Sequence, residues 1–244
     1  NIFGEKVGLL IISVDFLDDT LVFATRNLET LGELYLYKDK KLLKLIDAFS
    51  HISLQKIKFV DANTLIINTM GNELILFDIK EKKFLYRKQL NSASFSDLTL
   101  SEDKKYLFTA DETPLINKIE IRSGNIVEIY EKANKRDISS IDYKNGLLLS
   151  GGKDQQIVLY KTPNQYKMLK GDFFINSVAL SPNAERAAFT KNDKDEISVL
   201  ETNSLKETYM LKGHKTTIIK IDFYSPNELI SADKANRLMV WKLN

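Results

Sequence analysis

The sequence has 244 residues, of which 43% are hydrophobic and 28% charged, a composition typical of a globular protein with a sizeable core. Thirty-five basic and 33 acidic side chains give a formal charge of +2, so the balance predicts no general attraction to nucleic acid or to an anionic membrane. The absence of cysteine excludes disulfides, thiolate metal sites and a cysteine nucleophile.

The longest apolar run, residues 7–14, is about half the length required to cross a bilayer, and we predict no membrane span. The first residue is Asn1 rather than methionine, which is compatible with the removal of a secretion signal.

A three-part phrase recurs along the chain about every forty residues. Its first segment ends at Phe16, Phe59, Leu100, Tyr143, Leu180 and Phe223. Its second segment occupies residues 21–25, 65–69, 106–110, 147–151, 187–190 and 229–232. Its third segment ends at Tyr37, Phe77, Ile121, Tyr160, Leu200 and Trp241, with spacings of 39 to 44 residues. The segments are short, alternating or wholly apolar, and rich in Ile, Val, Leu, Phe and Tyr, which predicts β-strands.

A weaker fourth strand is expected at the end of most copies, at residues 41–46, 83–89, 125–130 and 205–211. Four strands in each of six copies predict 24 strands, although the chain stops three residues after Trp241, where the last copy has no fourth. Small sheets of this kind must stack on one another, and radial closure predicts an all-β, six-bladed propeller as a single domain, residues 1–244. The approximate repeats are 7–46, 47–90, 91–132, 133–169, 170–211 and 212–244.

The last copy resembles a WD40 repeat. Gly213-His214, Ser225-Pro226, Ser231 and Trp241 stand where that family has its Gly-His pair, first hairpin, second-strand serine and third-strand tryptophan. The fourth copy places Ser150, Asp154 and Tyr160 at the family spacing. The resemblance implies a propeller whose final sheet is completed by a strand from the start of the chain, expected before about residue 2. The alternative is seven blades, with a further repeat upstream of Asn1.

The resemblance also implies a hydrogen-bonded chain of His, Ser or Thr, Asp and Trp inside a blade. The place of the family's Asp in the last copy is Ala235, so only Asp233 or Asn236 is available as a substitute. In the fifth copy Asp172 replaces the His and Leu200 replaces the Trp. We therefore expect that no copy has the full set and that the blades are held mainly by apolar packing.

Three longer phrases are similar to the NapL-type WD-repeat accessory proteins of bacterial periplasmic nitrate reductase systems. They are ELYLYKDKKLLKLID, RDISSIDYKNGLLLSGGKDQQIVLY and DFFINSVALS. This resemblance implies a periplasmic protein, with a cytoplasmic location as the alternative, whose partners are reductase or maturation components.

Catalytic motifs are not found. The sequence has no GxSxG, HExxH, GxxxxGK or GxGxxG pattern, and its two histidines, His51 and His214, lie in different copies. The acids of residues 191–196 are interpreted as a solvated hairpin tip rather than a calcium loop. No acid recurs at an inward position. We predict no catalytic residue, no metal site and no cofactor.

The resulting hypothesis is a monomeric, non-catalytic interaction or assembly protein that binds a protein partner through the loops of one face. The nominated residues are Arg26, Asp111, Lys135, Arg136, Lys153, Asp172, Phe173, Phe174, Lys191, His214, Lys215 and Lys234. Phe173 and Phe174 are the main candidates for anchors, with one of them expected to pack between blades. The alternative is a metal- or small-ligand-dependent hydrolase or lyase that uses carboxylates around a central channel.

Overall fold

A computed structural model describes residues 10–26, 32–47 and 50–244. Across these ranges the chain forms 23 β-strands and no α-helix, and the strands make six antiparallel sheets. The prediction of 24 strands is therefore wrong for the described part of the chain, because the last sheet has three strands. The strand expected before residue 2 and the start of the first repeat at residue 7 lie outside the described residues.

Each sheet is formed by consecutive strands. The first is β1 (Leu10–Leu17), β2 (Thr20–Arg26), β3 (Gly32–Lys38) and β4 (Lys41–Ile46); the second is β5 (Leu54–Asp61), β6 (Thr64–Thr69), β7 (Glu73–Asp78) and β8 (Lys83–Gln89). The third is β9 (Phe95–Leu100), β10 (Tyr106–Asp111), β11 (Ile116–Glu120) and β12 (Asn125–Tyr130); the fourth is β13 (Ile138–Lys144), β14 (Leu147–Gly152), β15 (Gln156–Thr162) and β16 (Gln165–Lys170). The fifth is β17 (Val178–Leu180), β18 (Arg186–Thr190), β19 (Ile197–Glu201) and β20 (Glu207–Leu211); the sixth is β21 (Ile218–Ser225), β22 (Glu228–Asp233) and β23 (Leu238–Lys242).

The chain divides into two compact units. One comprises Asn1–Phe95 and Ile121–Gly124, and its described residues include the first two sheets. The other comprises Ser96–Glu120 and Asn125–Asn244 and includes the last four sheets apart from Phe95. The assignment of residues 1–244 to one domain stays a prediction.

Turn residues join the first and second strands as the sequence predicts. Between β13 and β14, Asn145 and Gly146 have φ values of 48° and 76°. Two successive left-handed residues match the right-handed twist of a tight hairpin, and Asn-Gly is the residue pair that adopts this conformation most readily. The turn therefore fixes the register in which Tyr143 faces Leu148.

Apolar side chains fill the space between neighbouring sheets within each unit. In the first unit, Val22 and Leu34 of one sheet and Ile57 and Ile67 of the next belong to one buried cluster. In the second unit, three further buried clusters join consecutive sheets from the third to the sixth. Burial of such surface contributes about 25 cal/mol per Å² and is the main stabilising term. In the described ranges, no helix is long and apolar enough to span a membrane.

Candidate functional site

Side chains on the first strand of one sheet accept hydrogen bonds from the main chain of the first strand of the next. In the second unit, Asp142 Oδ2 accepts the backbone N–H of Leu180 at 2.8 Å. Ser140 Oγ, on the same strand, accepts the backbone N–H of Val178 at 3.2 Å. A buried N–H without such a partner would cost about 1–3 kcal/mol. These two side chains therefore link the fourth sheet to the fifth, and we call such contacts inter-sheet links.

The same two strand positions supply links in both units. They join Ile57 N to Ser13 Oγ at 3.1 Å, Phe59 N to Asp15 Oδ2 at 2.7 Å, Ile141 N to Asp97 Oδ2 at 3.1 Å and Ile221 N to Ser177 Oγ at 2.9 Å. Sequence reasoning did not note that Asp15, Asp142 and Asp222 hold one position in the phrases SVDF, SIDY and KIDF. At Asp15 and Asp142 the carboxylate is engaged by main-chain N–H groups of the next sheet, which is a structural role.

Charged side chains of several first strands interact within the second unit. Burial raises the pKa of Asp142, and the positive charge of Lys144 acts against that rise. The Lys220 side chain is partly exposed, but many protein atoms lie around its ammonium group. This desolvation alone would lower the pKa of Lys220. The carboxylates of Asp97, Asp142 and Asp222 outweigh this effect and raise the pKa. Among the described residues, no three His, Asp or Glu side chains are placed to hold a metal ion.

The sixth sheet contains a continuous chain of hydrogen bonds around His214. Nε2 of His214 lies 2.6 Å from Ser231 Oγ, and Nδ1 lies 2.8 Å from Asp233 Oδ2. The Trp241 indole N–H donates to the same Ser231 oxygen at 2.8 Å, and Arg237 Nε donates to Asp233 Oδ2 at 3.0 Å. The expectation that no copy carries the full set is therefore wrong for the last copy, in which Asp233 supplies the acid.

The charge state of Asp233 determines which group donates and which accepts in each hydrogen bond of this network. Burial alone would raise the pKa of Asp233, but the hydrogen bond from His214 and the backbone N–H groups of Arg237 and Ala235 lower it to about 2. An ionised carboxylate requires His214 to carry its proton on Nδ1, which leaves Nε2 to accept the Ser231 hydroxyl proton. The Ser231 oxygen is then free to accept the indole N–H.

The fourth sheet has a related arrangement built on an amide. Asn134 Oδ1 accepts hydrogen bonds from the Ser150 and Tyr160 hydroxyls, each at 2.9 Å. Asn134 thus stands where the last copy has His214. Asp154 accepts the backbone N–H of Lys135 at 2.8 Å, so it holds the preceding loop instead of entering the buried network. Sequence reasoning missed Asn134, although its position four residues before Ile138 matches that of His214 before Ile218.

Two of the nominated interaction residues are buried. Asp111 is 2% exposed and accepts a hydrogen bond from the Thr113 hydroxyl, and His214 belongs to the network described above. Arg26, at the end of β2 in the first unit, donates from Nη2 to the Leu54 carbonyl at 3.2 Å. These side chains position other groups of the protein.

The remaining nominated residues lie in the second unit and reach its surface. Lys153 forms an ion pair with Asp137 at 2.7 Å, and Lys191 forms one with Glu207 at 2.7 Å. Lys135, Arg136, Asp172, Phe173, Phe174, Lys215 and Lys234 are exposed. Asp172, Phe173 and Phe174 share one loop, whose hydrogen bonds reach Gly152 and Thr190, the residues that precede Lys153 and Lys191.

Phe173 and Phe174 project from the loop between β16 and β17, residues 171–177, which we call the aromatic loop. Their ring centroids are 5.0 Å apart, and the side chains are 40% and 41% exposed. The expectation that one of them packs between sheets is wrong. The next residue, Ile175, is fully buried and packs in the cluster between the fourth and fifth sheets. Because Ile175 takes that place, both aromatic rings remain at the surface.

Main-chain hydrogen bonds fix the aromatic loop at both ends. Gly171 N–H donates to the Gln155 carbonyl at 2.6 Å, and Ile175 N–H donates to the Gly152 carbonyl at 3.1 Å. Asn176 N–H donates to Thr190 Oγ1 at 2.8 Å. The loop therefore runs between the β14–β15 hairpin, which carries Lys153, and the end of β18, which precedes Lys191. Two exposed rings on a loop held by main-chain hydrogen bonds make the aromatic loop the candidate binding surface.

Comparison with solved structures agrees with this architecture. The chain is similar to the β-propeller domain of Myceliophteria thermophila Cps50 (Swd1), with a TM-score of 0.77 and 16% identity over 96% of this chain and 84% of that one. It is also similar to a chain of the mitotic checkpoint complex, with a TM-score of 0.78 and 13% identity over 97% of this chain and 76% of that one. The fold is a WD40-like β-propeller, and the chain supplies six blades. No family model and no curated protein matches the sequence.

Proposed function

We propose that this propeller is a non-catalytic interaction or assembly scaffold that binds a protein partner through the aromatic loop. The observation that carries the proposal is the pair Phe173 and Phe174, two adjacent aromatic side chains left at the surface by a loop whose main chain is already ordered. Aromatic anchors contribute most to binding when the loop that carries them is already ordered before the partner binds, because little conformational entropy is then lost. One of the similar chains belongs to the mitotic checkpoint complex, which is a protein assembly, and this supports the proposed role.

No observation favours the hydrolase or lyase alternative. The recurrent acids of the first strands, which would be the catalytic candidates, accept main-chain N–H groups at Asp15 and Asp142. A carboxylate held in this way maintains contact between sheets. We therefore assign these residues to stability rather than to reaction chemistry.

The test compares the double variant F173A/F174A with the wild type in quantitative affinity purification from the native cell. The matched control is I126A/V127A, which removes two adjacent apolar side chains that are 42% and 52% exposed on β12 in the same unit. We expect a defined set of proteins to be lost with F173A/F174A and retained with I126A/V127A, while the circular-dichroism melting curves of both variants match the wild type. If both variants co-purify with the same proteins in the same amounts, the proposal is wrong.

We further propose that the partner is a component or maturation factor of a periplasmic nitrate reductase system and that the protein is periplasmic. The support is the similarity of three sequence phrases to the NapL-type accessory proteins, together with the absence of cysteine, which suits an oxidising compartment. Osmotic-shock fractionation followed by immunoblotting tests the location. Co-purification of reductase subunits with the wild type, and their loss with F173A/F174A, tests the partner.

A further inference from the structure

The hairpin turn between β13 and β14, in the second unit, presents Asn145 and Gly146 to solvent. Both residues are exposed, and they form the one Asn-Gly pair of the sequence. A Cβ built on Gly146 would meet nothing within 4 Å, so the main chain of the turn is open on that side. The turn therefore leaves a side-chain amide and the main-chain N–H that follows it accessible to water.

The two atoms that could react with one another in this turn are not engaged elsewhere. The Gly146 N–H donates no hydrogen bond to any residue that the structure describes. The side-chain oxygen of Asn145 accepts none from the described residues, and Nδ2 donates to the Pro182 carbonyl at 3.3 Å. A bond between Gly146 N and Asn145 Cγ would close a small ring, and intramolecular attack over so short a tether has a high effective concentration.

The corresponding turn of the fifth sheet, between β17 and β18, binds both of its equivalent atoms. Asn183 is also exposed, but its Oδ1 accepts the Ser181 hydroxyl at 2.8 Å and the Glu185 N–H at 3.3 Å. The residue that follows it, Ala184, carries a Cβ and donates its N–H to the Ser181 carbonyl at 2.7 Å. The fifth sheet therefore supplies a matched asparagine that is held in place.

We propose that Asn145 is a site of spontaneous deamidation in the folded protein and that the product disturbs its contacts with the neighbouring turns. The Gly146 nitrogen loses its proton and forms a bond with Asn145 Cγ, the Cγ–Nδ2 bond breaks, and Nδ2 takes up a proton and leaves as ammonia. Water then opens the cyclic imide at either carbonyl, which gives aspartate or isoaspartate at this position. Glycine favours the attack because no Cβ obstructs the approach of its nitrogen.

Conversion of Asn145 changes the contacts between three turns of the second unit. Its main-chain N–H donates to Glu102 Oε1, in the first turn of the third sheet, at 2.5 Å, and its Nδ2 donates to Pro182 in the first turn of the fifth. A carboxylate cannot donate to the Pro182 carbonyl, and it places a second negative charge near Glu102. Deamidation therefore removes the bond to the fifth sheet and introduces repulsion toward the third.

Peptide mapping by mass spectrometry tests the modification. The folded protein is incubated near neutral pH, and conversion of Asn145 is compared with that of Asn183. We expect Asn145 to convert at least about tenfold faster than Asn183, and G146A to slow it by a similar factor. Urea below the unfolding transition should leave the rate unchanged, because the attack occurs in the folded hairpin.

Three outcomes of this experiment would overturn the proposed modification. Asn145 could keep its amide in the folded protein, or it could convert no faster than Asn183. Its rate could also rise in proportion to the unfolded fraction as urea is added, which would place the reaction in the unfolded chain.

Two substitutions test the effect on the turns. N145D reproduces the aspartate product and should lower the urea midpoint, while E102Q keeps an acceptor oxygen for the Asn145 N–H and removes the charge. We expect N145D to lose less stability in the E102Q background than in the wild type. An unchanged midpoint for N145D, or the same loss in both backgrounds, would overturn the proposed disturbance of the neighbouring turns.

Discussion

The Trp241 indole N–H and the His214 imidazole meet at a single oxygen, the hydroxyl of Ser231. The oxygen accepts the indole proton at 2.8 Å and lies 2.6 Å from His214 Nε2, to which the hydroxyl donates. One small side chain therefore satisfies two large buried or partly buried groups. Loss of the Ser231 hydroxyl would therefore deprive both groups of this partner.

Replacement of Ser231 by alanine should destabilise the second unit by about 2–4 kcal/mol, because both the indole and the imidazole lose a partner. The protein has one tryptophan, so urea unfolding followed by Trp241 fluorescence measures this loss. The exposed Ser204 is the matched control, and S204A should change stability by less than about 0.5 kcal/mol. Equal stabilities of S231A and S204A would contradict the network described for this sheet.

Stability of the same sheet should depend on pH through Asp233. Its pKa is lowered from 3.8 to about 2 in the folded protein, so the unfolded chain binds the proton more readily. The stabilisation by the ionised carboxylate is therefore complete above the unfolded value and is lost as the pH falls through the folded value. The variant D233N has no such carboxylate. We expect the difference in urea midpoint between wild type and D233N to shrink as the pH falls from about 5 to about 2.

The exposed Asp172 provides the control for that experiment, because D172N leaves the network intact. D172N should follow the wild-type pH profile. A difference between wild type and D233N that stays constant over this range would show that Asp233 keeps an ordinary pKa.

The inter-sheet link at Asp142 should be measurable by comparing two substitutions. D142A leaves the buried N–H of Leu180 without an acceptor and should cost about 1–3 kcal/mol. D142N keeps a carbonyl oxygen at the same place, so its cost should be smaller. Chemical denaturation followed by circular dichroism gives both values, and a D142N variant as unstable as D142A would show that the charge matters more than the acceptor atom.

Two glycines in the fourth sheet should respond differently to replacement by alanine. A Cβ at Gly152 would lie 2.1 Å from the Asp137 carbonyl oxygen, which is main chain and cannot move aside cheaply. We expect G152A to cost about 1–3 kcal/mol, as overpacking usually does. A Cβ at Gly146 would meet nothing within 4 Å, so G146A should cost only the strain of its positive φ, about 1 kcal/mol. Thermal melting of the two variants distinguishes the cases.

Much of the architecture was predictable from the sequence because each strand is a local pattern. The fourth strands at residues 41–46, 83–89 and 125–130 coincide with β4, β8 and β12. Alternation of apolar residues and the turn chemistry at Asn145 and Gly146 act over a few residues, so a single copy of the repeat carries the information.

The details of the candidate site were less predictable because they depend on atoms brought together by folding. The acid that serves His214 is Asp233, two residues earlier than the family spacing, since its carboxylate reaches Nδ1 from the end of β22. In the aromatic loop, Ile175 is buried instead of a phenylalanine because its N–H is bound to the Gly152 carbonyl, which turns its side chain inward. From the residue order, Asp233 and Asn236 were both possible substitutes, and nothing indicated that Ile175 rather than a phenylalanine is buried.

The inter-sheet links have an evolutionary consequence. In each link only the acceptor is a side chain, while the donor is an amide that every residue except proline possesses. Substitution at a donor position such as Leu180 or Val178 therefore cannot abolish the bond, provided that the newcomer is apolar and not proline. The donor half of each link therefore tolerates most substitutions. Copies of the repeat can diverge in sequence until they share little beyond the spacing of their apolar segments. This tolerance gives a physical reason why the chain keeps the same architecture as solved structures to which it is only 13–16% identical.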